Sequence, residues 1–126
     1  MNVYADLVNR KRARVLRAEP SEQAIQRSIL DYLRFKKIMA WKNPTTGVFD
    51  PTTRRFRRGV GPVGAADIFG LLPGGRFLAI EVKRPGGRIA PHQASWLAQV
   101  HAQGALTLVA YSLADVEKMI GEVSHV

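Results

Sequence analysis

The apolar positions near the start of the chain follow a helical spacing. Between residues 21 and 33, apolar side chains recur at intervals of three, four and seven, which places them on one face of an α-helix. These residues are Ile25, Ile29, Tyr32 and Leu33. Ser21 is a suitable N-cap, because its hydroxyl can accept a hydrogen bond from a backbone N–H of the first turn. The pattern predicts a helix that begins at Ser21 and packs on a core.

Shorter apolar runs predict four strands. They span residues 37–41, 66–72, 76–84 and 105–111. A Pro-Gly-Gly turn at 73–75 separates the second strand from the third, so these two should form an antiparallel hairpin. A helix that begins at Pro91 and ends near Gly104 connects the third strand to the fourth, and such a connection predicts a parallel pair.

A last helix should begin at Ser112, because Ser112 and Asp115 have the spacing of a capping box. The order of elements is then α-β-β-β-α-β-α. This order predicts an α/β fold with a central mixed four-stranded sheet flanked by helices. We expect a single domain over residues 20–126, preceded by a basic N-terminal arm of residues 1–19.

The third predicted strand carries charged residues between its apolar ones. Glu81 and Lys83 occupy alternate positions of the stretch IEVKRPGGR, so both charges project from the same face of the strand. An exposed strand face with an ion pair would explain them, and such a pair contributes only about 0–1 kcal/mol to stability. A catalytic site would explain them as well. The motif alone leaves both explanations open.

A second acid should lie across the hairpin from Glu81. Asp67 and Glu81 are each seven residues from Gly74 in the turn, which makes them cross-strand neighbours. Two adjacent carboxylates repel each other unless a cation lies between them. Mg²⁺ and Mn²⁺ accept oxygen ligands and leave room for a phosphate, which Lys83 could then contact. Taken alone, Asp67 could also be a strand-end residue that bonds local backbone amides.

The positive charge of the chain is concentrated in its first half. The formal net charge is +9, with 14 Lys/Arg against 5 Asp/Glu in residues 1–60 and 5 against 5 in residues 61–126. A one-sided basic field suits nucleic-acid phosphates. Acidic membranes and ribosomal RNA would also be attracted, and a basic surface can serve solubility alone.

The segment 43–64 is rich in proline and glycine and has four arginines around Phe56. It is predicted to be a long loop or a loose hairpin that contacts nucleic acid. Seven residues of the chain are candidate contacts to DNA: Lys42, Arg54, Arg55, Arg57, Arg58, Arg84 and Arg88.

The composition limits the available chemistry. The 126 residues include no cysteine and three histidines, so we expect no disulfide, no zinc site, and oxygen ligands for any metal. The hydrophobic share of 46% suffices for one modest core. No apolar run reaches about 18 residues, and no signal-peptide pattern is present. We therefore expect a soluble cytoplasmic protein.

Three motifs occur in an order typical of one nuclease family. They are G-x-x-D-x-x-G from Gly64, E-V-K-x-P-G-G from Glu81 and H-Q-x-x-W-L from His92. Together with SEQAIQRSIL at residue 21, they resemble the VRR-NUC (virus-type replication-repair nuclease) domain of the PD-(D/E)XK superfamily. The resemblance runs from residue 21 through Ser112 and the final helix. It departs from the usual pattern at Ala66, which replaces a proline, and at Ala90, which replaces a capping Ser or Thr.

The resemblance implies a role for each residue of a site. It assigns metal binding to Glu22, Asp67, Glu81 and the backbone carbonyl of Val82. It assigns catalysis to the same three acids together with Lys83 and Gln93. From the residues alone, Glu22 could also be a first-turn residue favoured by the helix dipole, and Gln93 an ordinary exposed residue.

The resemblance also implies an activity. Stand-alone members of phage or bacterial type resemble Holliday-junction resolvases and act as dimers. We therefore expect a structure-selective DNA endonuclease that uses Mg²⁺ or Mn²⁺, hydrolyses phosphodiesters of branched DNA and acts as a homodimer in a bacterium or a phage-infected host cell. A nuclease for flap or linear DNA and a non-catalytic branched-DNA binding module are the alternatives.

Overall fold

The computed structural model describes residues 2–7, 9, 19–44, 48–57 and 63–123, and within 48–57 the side chains of residues 48, 49, 56 and 57 are outside this description. Its helices and strands, in chain order, are α1 (Glu22–Phe35), β1 (Met39–Lys42), β2 (Val48–Asp50), β3 (Arg55–Arg57), β4 (Ile68–Leu71), β5 (Phe77–Val82), α2 (Pro91–Ala102), β6 (Leu106–Ala110) and α3 (Leu113–Glu122). A short helical segment at residues 3–7 precedes α1. None of the helices in these ranges is long and apolar enough to cross a membrane.

The predicted mixed sheet is present, with the strand order β1-β4-β5-β6. β4 pairs antiparallel with both β1 and β5, and β5 pairs parallel with β6 after the connection through α2. These pairings confirm the predicted hairpin and the predicted parallel pair. β2 and β3 form a separate antiparallel hairpin within the segment 43–64, so the described part of that segment is a hairpin and not a loop.

Three apolar residues of β5 form the centre of the larger core. Leu78, Ile80 and Val82 project from one face of the sheet, and each is fully buried. α1 and α3 cover this face with their apolar sides, which include Ile29 and Val116. We call this side of the sheet the core face. Burying one such aliphatic side chain stabilises the fold by about 1.5–3 kcal/mol, so this face provides much of the hydrophobic stabilisation.

The opposite side of the sheet is covered by α2, and we call it the α2 face. Ala79 of β5 and Leu97 of α2 are buried there, and Trp96 stacks on Phe69 with their ring centroids 5.7 Å apart. Glu81 follows Ala79 by two residues and projects from the same face. The α2 face therefore combines a small apolar cluster with a charged residue.

The ends of α1 set where the first strand begins. The Ser21 hydroxyl accepts a hydrogen bond from a first-turn backbone N–H at 3.1 Å, which confirms the predicted N-cap. At the other end, Lys37 takes a left-handed conformation (φ 59°), and Ile38 N donates to Leu33 O at 2.9 Å. Because Lys37 belongs to this helix end, β1 begins at Met39 and not at the predicted residue 37.

The starts of the two later helices also agree with the sequence pattern. α2 begins at Pro91 as predicted. The Ser112 hydroxyl accepts from Asp115 N at 3.4 Å, so Ser112 caps α3. The carboxylate of Asp115 accepts from Tyr111 N at 2.8 Å, one residue earlier than in an ordinary capping box. The cap is therefore confirmed, with its return bond shifted by one residue.

Candidate active site

Asp67 directly precedes β4 and lies opposite Glu81 of β5. The first pair in the register of these strands is Ile68 with Ile80, so the next residue outward on each strand continues the pairing. One carboxylate oxygen of Asp67, Oδ2, accepts a hydrogen bond from Val82 N at 2.9 Å. The side chain of Asp67 is thus fixed to the backbone of β5 beside Glu81. The two acids are cross-strand neighbours, as predicted.

Asn43, which follows β1, holds the backbone of Asp67 from the other side. Its N–H donates to the carbonyl oxygen of Asp67 at 2.7 Å, and its Nδ2 donates to Ala66 O at 3.1 Å. Both peptides around Asp67 are therefore tied to β1. These bonds restrict the positions that the Asp67 carboxylate can take.

Glu81 is almost completely buried, with 2% of its surface exposed. Its Oε1 atom accepts a hydrogen bond from Gln93 Nε2 at 3.1 Å and lies 3.6 Å from Lys83 Nζ. Its Oε2 atom is buried and has no hydrogen-bond partner within the described residues. A buried polar atom that has lost its hydrogen bonds to water and gained no partner destabilises a fold by about 1–3 kcal/mol. A ligand that binds this oxygen would remove that cost.

The pKa of Glu81 is raised from 4.5 to about 8, first by burial and then by the charge of Asp67 and a hydrogen bond with it, while Lys83 acts in the opposite direction. Glu81 is therefore mostly protonated near neutral pH when no cation is bound. Among the described residues, Oε2 lacks a partner only while both acids are ionised, because a proton on Glu81 lets the two carboxyl groups hydrogen-bond to each other. A bound cation would take the place of that proton.

Gln93 lies in the first turn of α2 with its amide orientation fixed. Its Oε1 accepts a hydrogen bond from Ala90 N at 2.9 Å. Because a backbone N–H can only donate, this bond turns the Nε2 group of Gln93 toward Glu81. The side chain of Ala90 provides no cap, and the Gln93 side chain satisfies the backbone N–H of Ala90. Gln93 is therefore not the ordinary exposed residue that the sequence also allowed.

Gly64 packs so closely against the start of α2 that a side chain does not fit. A Cβ atom on Gly64 would lie 2.4 Å from the carbonyl oxygen of His92, and the backbone φ of Gly64 is +85°. Both features favour glycine. Since His92 directly precedes Gln93, this contact sets the position of the helix turn that carries the Gln93 amide. The first glycine of the G-x-x-D motif is thereby connected to Glu81.

Glu22 lies at the same end of the fold as the acid pair without joining it. Three residues connect α1 to β1, so the two elements run antiparallel and the first turn of α1 lies at the end of the sheet where β1 finishes. Over the described ranges, no group of three or more His, Cys, Asp or Glu residues could hold a metal ion, so Glu22 forms no such cluster with Asp67 and Glu81. The metal-binding role of Glu22 stays a prediction.

The predicted DNA contacts are partly described. Five of these side chains are described and exposed: Lys42, Arg54, Arg55, Arg84 and Arg88. Arg57 is described in its backbone only, and Arg58 lies outside the described residues. Arg84 and Arg88 follow β5 directly after Lys83. Positive charge is therefore present next to the acid-bearing strand as well as in the first half of the chain.

Three features of the fold were missed by sequence reasoning. Asn43 stands before Pro44 in a segment of turn-like composition, and its role follows only from the pairing of β1 with β4. The packing of Gly64 against α2 depends on two segments that are distant in sequence. Gln26 carried a signal, because it is a polar residue on the apolar side of α1. It is 8% exposed, and its Oε1 has no partner in the part of the chain that is described.

The fold and the site together define a class of hydrolase. Two facing carboxylates can hold a cation, and a lysine on the same strand face can meet a phosphate oxygen. These are the parts that a phosphodiester-cleaving enzyme needs. A sequence model of the VRR-NUC domain matches residues 19–114, and the chain belongs to this family of nucleases, in agreement with a PD-(D/E)XK type of core.

A comparison with solved structures supports the same fold. A structure described as a VRR_NUC domain matches with a TM-score of 0.59 and 21% sequence identity, covering 81% of this chain and 97% of that chain. At this level of identity, the likeness shows a shared α/β fold. A search of curated proteins finds no match.

Proposed function

We propose that this nuclease is a divalent-metal-dependent endonuclease that cuts DNA at the pair Asp67 and Glu81, selects branched DNA such as a Holliday junction, and acts as a homodimer. The observation that carries the proposal is the carboxylate of Glu81. It is buried beside a second carboxylate, its pKa is raised, and its Oε2 atom lacks a partner among the described residues. Such a perturbed acid supports a binding or catalytic role more than a structural one.

The available donor atoms fit Mg²⁺ or Mn²⁺. Asp67 and Glu81 offer carboxylate oxygens, and Mg²⁺ is commonly held by one or two carboxylates while water and a substrate phosphate complete its ligands. These two residues would hold the ion, and Glu22 and the carbonyl of Val82 are further candidate ligands. When bound, the ion would supply Lewis-acid stabilisation of the negative charge that develops on the phosphate.

Lys83 would contact the reacting phosphate. Its side chain is 15% exposed, and its Nζ lies 3.6 Å from Glu81 Oε1. An ammonium group has three donors and no acceptor, so it can bind a non-bridging phosphate oxygen and orient an attacking water at the same time. Gln93 would keep Oε1 of Glu81 hydrogen-bonded, so that the carboxylate holds its orientation when Lys83 turns to the substrate.

Affinity for DNA would come from the exposed basic residues. Arg84 and Arg88 next to β5 and the arginines of the β2–β3 hairpin would neutralise phosphates on either side of the cut. Such contacts release counterions from DNA, so binding should be independent of sequence and weaken steeply with salt. The net charge of +9 supports this expectation.

A homodimer would match the symmetry of a four-way junction. A two-fold axis relates two copies of the active site, which allows two strands of the junction to be nicked by one complex. Membership of a nuclease family supports the cleavage chemistry, and the dimer and the substrate each have a separate test. Sedimentation tests the dimer. Cleavage of a four-way junction, a flap and a blunt duplex in one assay tests the substrate. Preferential cutting of the flap would mean that the protein is a flap nuclease and not a junction resolvase.

A lysine substitution tests the cutting site. Lys83→Ala should lower the rate of junction cleavage by about 10²–10³-fold, the loss typical when one charge-stabilising group is removed, and should leave binding in EDTA little changed. Lys118→Ala removes an exposed lysine from α3 and is the matched control. Unchanged cutting by Lys83→Ala would reject this site. A wild-type protein that shifts the junction in a gel but never cuts it, at any Mn²⁺ concentration, would be the non-catalytic binding module.

A further inference from the structure

An exposed tryptophan lies on the same face of the sheet as the two acids. Trp41, on the edge strand β1, is 44% exposed and is paired with Phe69 of β4. The next residue with the orientation of Trp41 is Asn43, whose N–H donates to the carbonyl of Asp67. Trp41 therefore lies one row away from the cross-strand row that contains Asp67 and Glu81.

Sheet geometry gives the separation between Trp41 and the acids. Neighbouring rows on one face are about 6.6 Å apart along a strand, and neighbouring strands are about 4.8 Å apart. The Cα atom of Trp41 is thus about 8 Å from that of Asp67 and about 12 Å from that of Glu81. Adjacent nucleotides of a strand whose phosphate lies at the acids can span this distance.

The packing of the fold accounts for the other tryptophan but not for Trp41. Trp96 is half-buried on α2 and stacks on Phe69 at 5.7 Å. α2 leaves the outer part of the same face open, where Met39 is 66% exposed and its cross-strand partner Leu71 is 38% exposed. Trp41 lies beside these two residues in an apolar patch at the edge of the sheet. We call Met39, Trp41 and Leu71 the edge patch.

The charge around the edge patch favours nucleic acid as its partner. Lys36, Lys37 and Lys42 flank the patch along the chain, and all three are exposed. These lysines attract a phosphate backbone. A second copy of the chain that approached β1 about a two-fold axis would bring the same lysines together, and charged residues at an edge strand oppose such pairing.

We propose that Trp41 stacks on an unpaired base of the nucleic acid, next to the phosphate that is cut. Every base has an aromatic face, so stacking on an indole adds affinity without a strong sequence preference. Trp41 then favours substrates with an unstacked nucleotide at the cleavage point, as at a branch. This inference rests on the proposed function, because it takes Asp67 and Glu81 as the place of cutting.

Fluorescence tests the stacking directly. The chain has two tryptophans, so Trp41→Phe leaves Trp96 as its remaining indole. In EDTA, a single-stranded oligonucleotide should quench the tryptophan emission of the wild-type protein and leave that of Trp41→Phe unchanged. Equal quenching in the two proteins, or quenching in neither at saturating oligonucleotide, overturns the proposal.

Affinity separates stacking from the loss of apolar area. In EDTA, Trp41→Ala should raise the Kd for the single-stranded oligonucleotide by about 5- to 150-fold, the range that corresponds to the loss of one stacked base. Trp41→Phe should retain most of the affinity. Phe35→Ala removes a more exposed aromatic side chain, at the end of α1 and outside the edge patch, and should bind like the wild type. The proposal fails if Phe35→Ala weakens binding as much as Trp41→Ala, or if Trp41→Ala weakens binding to a fully paired duplex equally.

The same variants distinguish the other partner and the underlying function. Suppose that Trp41→Ala abolishes a concentration-dependent dimer in sedimentation and binds DNA like the wild type. The edge patch is then an interface between copies, and the proposal is wrong. Because the fluorescence and affinity assays contain EDTA, they do not depend on cutting. They can fail while the Lys83→Ala test succeeds, and they can succeed while it fails.

Discussion

Neighbouring residues on the two faces of β5 are buried to the same degree, but they affect the stability of the fold in opposite ways. On the core face, Ile80 and Val82 are fully buried among apolar side chains of α1 and α3. On the α2 face, Glu81 is 2% exposed beside Asp67 and has one oxygen without a partner among the described residues. The core face stabilises the fold, whereas the acid pair destabilises it in the absence of a cation. Depth of burial therefore does not distinguish a structural position from a functional one on this strand, whereas an unpartnered carboxylate oxygen beside a second acid does.

The core face should respond to substitution mainly in stability. Ile80→Ala should lower the free energy of unfolding by about 2–5 kcal/mol, because it removes a fully buried side chain and leaves a cavity. Urea denaturation measures this change, and Leu71→Ala, at a half-exposed position of the sheet, is the control with a smaller loss. At a temperature where Ile80→Ala is folded, its cleavage rate should stay close to that of the wild type. A fully folded variant with lost cleavage would mean that the two faces are not separate in function.

The α2 face should respond mainly in activity. Gly64→Ala should lower the cleavage rate by about 10²-fold, because its Cβ would displace the turn that carries Gln93 and misplace Glu81. Gly75→Ala is the matched control, since Gly75 also has a positive φ of +88° but no atom within 4 Å of its Cβ position. Both variants bear the backbone penalty of a left-handed alanine, and only Gly64→Ala bears the clash. Equal cleavage rates for the two variants would show that the packing of Gly64 against α2 does not position the active site.

The α2 face should also make the metal-free protein less stable as the pH rises. The pKa of Glu81 is about 8 in the folded protein against an ordinary value of 4.5, so the folded state binds more protons than the unfolded state between these values. The contribution of this group to stability is therefore largest below about pH 4.5 and is lost as the pH rises to about 8.

Glu81→Gln removes this titration and isolates it from the other ionisable groups. In EDTA, the free energy of unfolding of Glu81→Gln minus that of the wild type should increase with pH over this interval and level off above it. Urea denaturation at about pH 5, 7 and 9 measures the difference. A difference that stays constant across the three conditions would show that Glu81 is not the group whose pKa is raised.

Much of the fold follows from local patterns in the sequence. The alternation around Ile80, the turn at 73–75 and the cap at Ser112 each depend on neighbouring residues, so the hairpin, the parallel pair and the helix starts were predicted correctly. The end of α1 was not, because nothing in the residue type of Lys37 indicates a left-handed conformation. A glycine at this position would have marked the helix end.

The candidate site was predictable only as far as the hairpin register reaches. Asp67 and Glu81 are related by a short turn, so their contact follows from counting residues. The orientation of Gln93 and the closeness of Gly64 to His92 depend on how α2 packs on the sheet, which the sequence pattern does not specify. Glu22 is connected to the acid pair only through the packing of α1, and for that reason its predicted role is the one that the geometry supports least.

The rate of DNA cleavage by Glu81→Gln tests the central claim most directly. Glutamine keeps the shape of the side chain and removes the charge, so the fold should be as stable as the wild type or more stable in EDTA. With Mg²⁺ or Mn²⁺ present, the account predicts that cleavage of the best wild-type substrate falls by about 10²–10³-fold or more. Cleavage by folded Glu81→Gln at the wild-type rate would contradict the assignment of Asp67 and Glu81 as the active site.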